Sequence, residues 1–516
     1  MNAPELLSRE GVRRLATLLD NGPAWLEIDR VCTALGIVHV PLPLFFTPEQ
    51  IGHALRSAGV DAVLTSEAIA PRFAPAPARP WRLTDEPLVL LRLPFAATPL
   101  PEGTNKITFT SGTTGAPKGV CLAADTLRAV SHGVAEALAP LQIEHHLCAL
   151  PLAVLLEDVA GLGAALAAGA RCTVLPLAQL GWQGSSSFDA AIFHAAVVRH
   201  APHSLILLPQ MLRAWVEWLR QRGERAPASL RFVAVGGAPV GAPLLQAART
   251  LGIPAYEGYG LSEGASVQTL NLPGADRPGS AGRVLPHARL RVSEEGEIEV
   301  AGSLFLGYLG ESAATPTVWP SGDLGEFDAD GFVWIRGRRK HVLITAFGRN
   351  VSPEWVETAL RDQAAVAQAV VFGDALPTLR AVLWPMHADT PDATLQAAVD
   401  AANATLPDYA RIGRWVRGYA PFDAASGLAT ANGRPKRDTI AARHADALGL
   451  LSNDEPMNSG FHDRLLESTA DARRELVSTP IIQGCLRGEV SLPSYLAFLR
   501  EAYHHVSHTV PLLQAC

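Results

Sequence analysis

Cysteine is scarce and unpatterned: six residues, at positions 32, 121, 148, 172, 485 and 516, form no C-x-x-C pair and no zinc spacing. A disulfide framework and a zinc module are thereby excluded, and a reducing, cytoplasmic setting is expected. Basic clusters interleaved with aromatics are also absent; a net charge of −7 and a pI near 6.2 argue against a nucleic-acid partner. The N-terminus, MNAPELLSREGVRRL, lacks the apolar segment of a signal peptide. The longest apolar run, Leu147 to Ala170, carries Glu157 and Asp158 near its middle, so no transmembrane segment is expected there. A buried strand followed by an Ala/Gly-rich helix is the better reading, with the two acids at a helix start and without a chemical role.

The 516 residues allow about two to four domains and a large core. Short apolar runs at Ala62–Leu64, Ile107–Thr110, Cys172–Leu175, Leu205–Leu208 and Phe232–Val235 alternate with longer amphipathic stretches, which predicts α/β architecture. From Val284 to Val300 the period shifts to two around a turn at Glu295-Gly296. Gly325 to Ile335 repeats this around Asp330-Gly331, and both read as β-hairpins.

The chemistry is concentrated in Ile107 to Gly119, ITFTSGTTGAPKG, directly after a strand-like run. Gly112, Gly115 and Gly119 let the backbone approach a ligand, Thr110, Ser111, Thr113 and Thr114 add hydroxyls, and Lys118 adds a charge. Such a loop suits phosphate. It is not the G-x-x-x-x-G-K-[ST] loop of P-loop NTPases, because Lys118 lies between Pro117 and Gly119. It resembles the T-S-G-T-T-G-x-P-K-G signature of the adenylate-forming superfamily: acyl-CoA synthetases, luciferases and peptide-synthetase adenylation domains.

The resemblance implies further motifs in a set order. Gly236-Gly237-Ala238-Pro239 and Gly258-Tyr259-Gly260-Leu261-Ser262-Glu263 resemble the adenine-binding segment and the Y-G-x-T-E motif. By that analogy Tyr259 stacks on adenine and Glu263 ligates magnesium, a role that suits a hard carboxylate. Asp323 in Ser321-Gly322-Asp323 would hold the ribose hydroxyls, with Arg338 assisting. Gly337 to Lys340 resembles the join between a large and a small domain, with Lys340 at the hinge. A helix is expected from near Ser352-Pro353. Thr430 to Arg437, TANGRPKR, resembles the terminal T-x-x-G-K-x-x-R motif, but the residue after Gly433 is Arg434 and the nearest lysine is Lys436. Either Arg434 supplies the charge or a shifted turn delivers Lys436, and the reading leans to Lys436.

The family match implies a large domain over 1–336, a hinge at 337–340, a small mobile α+β domain over 341–448, a linker at 449–459 and a helical segment over 460–516. The region before Ile107 is shorter than in many relatives. In the tail, Glu501, His504, His505 and His508 fall on one helical face, and Glu501 with His508 resembles the first half-site of heme-oxygenase-like di-iron proteins. Iron would be a cofactor only if a second half-site completed it.

The resulting expectation is an AMP-forming acid–thiol ligase. It uses ATP and magnesium to adenylate a carboxylic acid, favoured to be a fatty acid, and passes the acyl group to coenzyme A or to a carrier protein. The alternatives are a degenerate adenylate-binding protein and a serine hydrolase. The hydrolase reading rests on Gly260 to Gly264, which fits the G-x-S-x-G elbow but lacks a following helix and a recognisable downstream histidine.

Overall fold

The computed structural model describes residues 2–449, apart from 74–75, 77, 84–85, 111–116, 184–186, 312–314, 347–348, 375 and 431–432, together with 491 and 493. The chain divides into two units, Met1–Leu448 and Gly449–Cys516. The linker at 449–459, the helical segment at 460–516 and the half-site Glu501/His508 fall in the second unit, outside the described residues except for 449, 491 and 493.

Within the first unit, an eight-stranded sheet runs in the spatial order Gly307–Tyr308, Lys118–Ala123, Thr104–Thr110, Val38–Pro41, Arg14–Leu18, Ala62–Ser66, Glu86–Arg92, Ala78–Leu83. Five of its strands come from before residue 104, so the short N-terminal region still builds most of a sheet. Helix Pro23–Leu35 covers one face. Proline at its first position presets the backbone, and Gly36 at φ 66° ends it in the left-handed conformation.

A seven-stranded sheet follows, in the order Arg283–Val284, Ser266–Leu270, Ala255–Leu261, Phe232–Val235, Ser204–Leu207, His145–Cys148, Arg171–Val174. Its strands from Arg171–Val174 to Ala255–Leu261 are parallel. The unbroken apolar runs at Leu205 and Phe232 are what a sheet covered on both faces requires. Trp215 and Phe193 meet edge to face with centroids 5.1 Å apart in the core against this sheet.

Both expected hairpins form. Ala288–Val292 pairs with Glu297–Gly302, and Val318–Phe327 with Val333–Arg338, in one four-stranded antiparallel sheet. Residues after 340 build a three-stranded sheet, Val366–Phe372, Leu379–Pro385 and Ile412–Arg417, with helices Pro353–Arg361, Asp392–Thr405 and Arg437–Leu448.

The apolar run after Leu147 departs from expectation. It carries a π-helix, Leu156–Gly163, running into Ala164–Ala167. Glu157 and Asp158 do open a helix, but both are buried. Asp158 Oδ2 accepts from Lys106 Nζ at 2.5 Å, and Lys106 also pairs with Asp29 at 2.8 Å. Asp29 in turn holds His39 Nδ1 at 2.6 Å. Against the penalty of burial, Asp158 and Asp29 hold the Lys106 ammonium above its usual range. Replacing Lys106 with methionine leaves the buried Asp158 carboxylate without its cation and Asp29 with His39 alone, so the Lys106→Met variant is expected to lose about 3–5 kcal/mol of stability. Denaturant unfolding reads this, and a loss below about 1 kcal/mol would show that the cluster does not hold the sheets together.

Candidate active site

A cavity of about 1090 Å³ opens at the C-terminal ends of the parallel strands, where open α/β sheets place their ligands. Thr110 and Lys118, paired across neighbouring strands, bring the two flanks of the glycine loop to its wall. Ser111, Gly112, Thr113, Thr114 and Gly115 themselves lie outside the described residues.

Lys118 Nζ stands 4.8 Å from the ring centroid of Tyr308, whose hydroxyl donates to Glu263 Oε1 at 2.5 Å. Tyr308 escaped the sequence reading; its only signal was a hydroxyl-bearing aromatic between Gly307 and Gly310. Glu263 lines the cavity and, among the described residues, forms no ion pair. A carboxylate that, among the described residues, accepts from a neutral hydroxyl and forms no ion pair, in a cavity also lined by Thr110 and Ser262, fits a hard divalent cation.

Tyr259, Gly260 and Ser262 line the cavity, as does Gly237, which takes φ 86°. Ala238 and Pro239 are exposed beyond it. Gly260 has no room for a side chain, since a Cβ there would sit 1.9 Å from the Ser266 carbonyl oxygen. The Tyr259 hydroxyl donates to Asp323 Oδ2 at 2.6 Å, and Arg338 Nε pairs with Asp323 Oδ1 at 2.7 Å. Asp323 is therefore buried behind Tyr259 and Arg338, and a ribose would have to exchange with one of these partners. Burial raises its pKa, with Arg338 opposing.

Glu257, on the strand leading into Tyr259, accepts from Val240 N–H at 3.1 Å and so ties down the turn after Gly237. Among the described residues its Oε2 is buried without a hydrogen-bond partner. Burial pushes its carboxyl up from 4.5 to about 7, with Asp362 and Asp276 adding to the rise.

The terminal motif closes the cavity. Arg437 pairs with Glu357 at 2.6 Å and anchors TANGRPKR to helix Pro353–Arg361. Gly433, at φ 75°, donates to the Thr430 carbonyl at 2.9 Å, and the turn directs Arg434 to the cavity wall. Lys436 is exposed and does not line it. Desolvation and the like charge of Arg338 lower the pKa of Arg434, while Asp323 and Glu263 oppose them. Lys340 also reaches the cavity, from the short turn Arg339–His341, and its pKa falls through burial and the nearby charges of Arg338, Arg434 and Lys118. Four cations thus converge on one opening.

Away from this opening the cavity becomes an apolar channel. One wall is a helical row at intervals of four, Leu156, Ala160, Ala164 and Ala168. The facing sheet contributes Ile206, Ala234 and Gly236. Glu157, given no role from the sequence, supports this wall through His146 Nε2 at 2.9 Å and Leu150 N–H at 2.8 Å. His146, Cys148 and Glu157 present ligand atoms within 4.8 Å of one another, but the imidazole nitrogens and carboxylate oxygens are already engaged. The nucleophile elbow is not formed: Ser262 sits in a single short turn, and the chain continues as antiparallel strand Ser266–Leu270 instead of a helix.

The AMP-binding enzyme family matches residues 6–309. The chain belongs to that family. The family's C-terminal domain matches residues 340–449. Among curated relatives, the long-chain-fatty-acid–CoA ligase FadD15 of Mycobacterium bovis is 32% identical over 254 residues, covering 44% of this chain and 42% of that protein. The chain thus spans less than half of the length of that relative. The 2-succinylbenzoate–CoA ligase of Bacillus cereus is 29% identical over 403 residues, covering 72% of this chain and 77% of the relative.

Two solved structures share the fold. The anthranilate CoA ligase AuaEII in complex with anthranoyl-AMP has a TM-score of 0.71 at 20% identity, covering 86% of this chain and 91% of its own. The o-succinylbenzoate CoA synthetase MenE of Bacillus subtilis, with ATP and magnesium, has a TM-score of 0.67 at 22% identity, covering 85% and 91%. As in other members of the AMP-binding family, the fold is a large α/β part followed by a smaller C-terminal domain. No helix among the described residues is long and apolar enough to cross a membrane.

The raised pKa of Glu257 has a thermodynamic consequence. The folded state keeps its proton to a higher pH than the unfolded state, so its contribution to stability is complete below about pH 4.5 and is lost as pH rises through 7. Glu257→Gln is therefore expected to flatten the stability profile across this window and to be more stable than the parent at pH 8, by up to about 3 kcal/mol. Parallel wild-type and mutant profiles in thermal unfolding would contradict it.

Proposed function

We propose that this AMP-binding enzyme activates a carboxylic acid with ATP to an acyl-adenylate and passes the acyl group to the thiol of coenzyme A. The observation that carries the reading is the convergence of Lys118, Arg338, Lys340 and Arg434 with the Glu263 carboxylate at the mouth of an apolar channel. Cations and a metal-binding carboxylate suit a nucleoside triphosphate; the channel suits an acid with an extended apolar tail. A fatty acid is the substrate class it fits best.

In the first step an acid oxygen bonds to the α-phosphorus and the bond to pyrophosphate breaks. Lys118 and Arg434 stabilise the charge that develops on the phosphate oxygens, the electrostatic contribution that dominates such transfers. Magnesium held at Glu263 would supply further neutralisation of the phosphates. Tyr308 fixes the Glu263 carboxylate through its hydroxyl and bears the Lys118 ammonium against its ring. Tyr259 and Arg338 would receive the adenosine, with Asp323 exchanging a present partner for the ribose hydroxyls. In the second step the thiolate attacks the acyl carbon and AMP leaves. Because Arg434 comes from beyond residue 340 and Lys118 from the large part, the turn at Lys340 governs whether both reach the phosphates together.

ATP–pyrophosphate exchange across carboxylic acids from acetate to long fatty acids, with aryl and amino acids included, tests the activation step. Exchange with fatty acids is expected, and ATP binding without exchange for any acid would refute it. Arg434→Ala should cut exchange by about a hundredfold, whereas Lys436→Ala should change it by less than about threefold; the reverse order would return the terminal role to Lys436. Lys340→Pro should abolish thioester formation, measured with coenzyme A and with a phosphopantetheinyl carrier protein, while lowering exchange by less than about tenfold. Equal loss of both half-reactions would remove the hinge assignment.

A further inference from the structure

The apolar channel is not apolar along its whole length. Strand Ser204–Leu207 runs away from its far end, so Ser204 lies about four residues, roughly 13 Å, from Leu208 at the nucleotide end. Ser204 is in register with Phe232 on one neighbour and His146 on the other, and all three line the channel. Ser204 and His146 are almost wholly buried, at 4% and 3% exposure, which makes a hydroxyl and an imidazole at this depth unusual.

A chain of hydrogen bonds holds them. Ser204 Oγ and His146 Nδ1 are 2.9 Å apart, His146 Nε2 and Glu157 Oε1 are 2.9 Å apart, and Glu157 Oε2 accepts from Leu150 N–H at 2.8 Å. Gly161 makes room for this chain: a Cβ there would sit 2.1 Å from Glu157 Oε1 and 2.9 Å from His146 Nε2. Both imidazole nitrogens are therefore consumed. Ser204 is not, since a hydroxyl donates once and accepts twice, and among the described residues Oγ bonds only to His146.

We infer that Ser204 is a specificity-determining residue that reads a hydroxyl group at the distal end of the acyl chain; this rests on the reading that the channel holds that chain. With a neutral imidazole donating Nε2–H to Glu157, the serine proton goes to Nδ1 and Oγ is left to accept. With an imidazolium, Oγ accepts from Nδ1–H and its own proton is left to donate. A substrate hydroxyl satisfies either state. A carboxylate only accepts, and an ammonium only donates. A terminal methyl group would cover Ser204 without replacing water, leaving its bonding capacity empty at a cost.

The experiment compares kcat/KM for pyrophosphate exchange between straight-chain acids, from octanoate to hexadecanoate, and their ω-hydroxy counterparts of equal length. The enzyme is expected to prefer the hydroxylated member by about tenfold at the length that reaches Ser204, and progressively less for shorter chains. Ser204→Ala should bring that ratio to near one, and Ser204→Thr, which keeps a hydroxyl, should retain most of it. A wild-type ratio near one at every length would overturn the inference, as would a ratio unchanged by Ser204→Ala. Exchange with the plain acids but no hydroxyl preference sinks this inference alone; exchange with no acid sinks the activation reading itself.

Discussion

Lys106, buried between Asp29 and Asp158, is the constraint on which the arrangement of the site rests. It lies on strand Thr104–Thr110, whose end carries Thr110 to the cavity wall. Asp29 belongs to the helix covering the first sheet, and Asp158 to the π-helix packed on the second. One ammonium thus couples the strand that delivers the glycine loop to the helix that walls the channel. A buried pair of this kind adds little net stability over apolar packing, but it tolerates no displacement, because either carboxylate left alone in the core is severely penalised. Geometry, more than affinity between layers, is what it supplies.

From that fixed frame the charges are deployed unevenly. The carboxylates Asp323 and Glu263 are held by the phenol hydroxyls of Tyr259 and Tyr308, while Lys118, Arg338, Lys340 and Arg434 crowd the same opening, where burial and the neighbouring positive charges lower the proton affinity of Lys340 and Arg434. Such a concentration of like charge is unfavourable without a polyanion. It is the arrangement expected of a site organised for a polyanion, with cations contributed from both sides of residue 340.

The channel behind the mouth follows from small side chains. Alanines at intervals of four along the π-helix and its continuation, opposite Ala234 and Gly236, leave an elongated void where larger residues would have closed it. Glu157 and Asp158, adjacent in sequence, are both turned inward and serve different partners, one positioning His146 and the other Lys106.

The Tyr259 to Glu263 segment, which lines the cavity, and the two flanks of the glycine loop, Thr110 and Lys118, were legible because they belong to contiguous motifs in which residue type and spacing are local properties; Asp323 and Arg338 belong to two separate motifs that meet only in the fold. The parallel strands at Leu205 and Phe232 and both hairpins were legible for a similar reason, since period and turn residues are local properties. The sequence by itself determined the family and named Lys118, Tyr259, Ser262, Glu263 and Arg338, which the structure brings to one cavity. Only the tertiary structure decided that Arg434 lines the cavity and Lys436 does not, because the choice depends on Arg437 finding Glu357 about eighty residues away in sequence. Only it could place Tyr308 on Glu263, or bury Glu157 and Asp158, whose acidic pair in an apolar run reads locally as a helix start. Partners brought together across sheets leave no periodic trace in the chain, and the Ser204–His146–Glu157 connection exists only once two parallel strands and a helix have been set side by side.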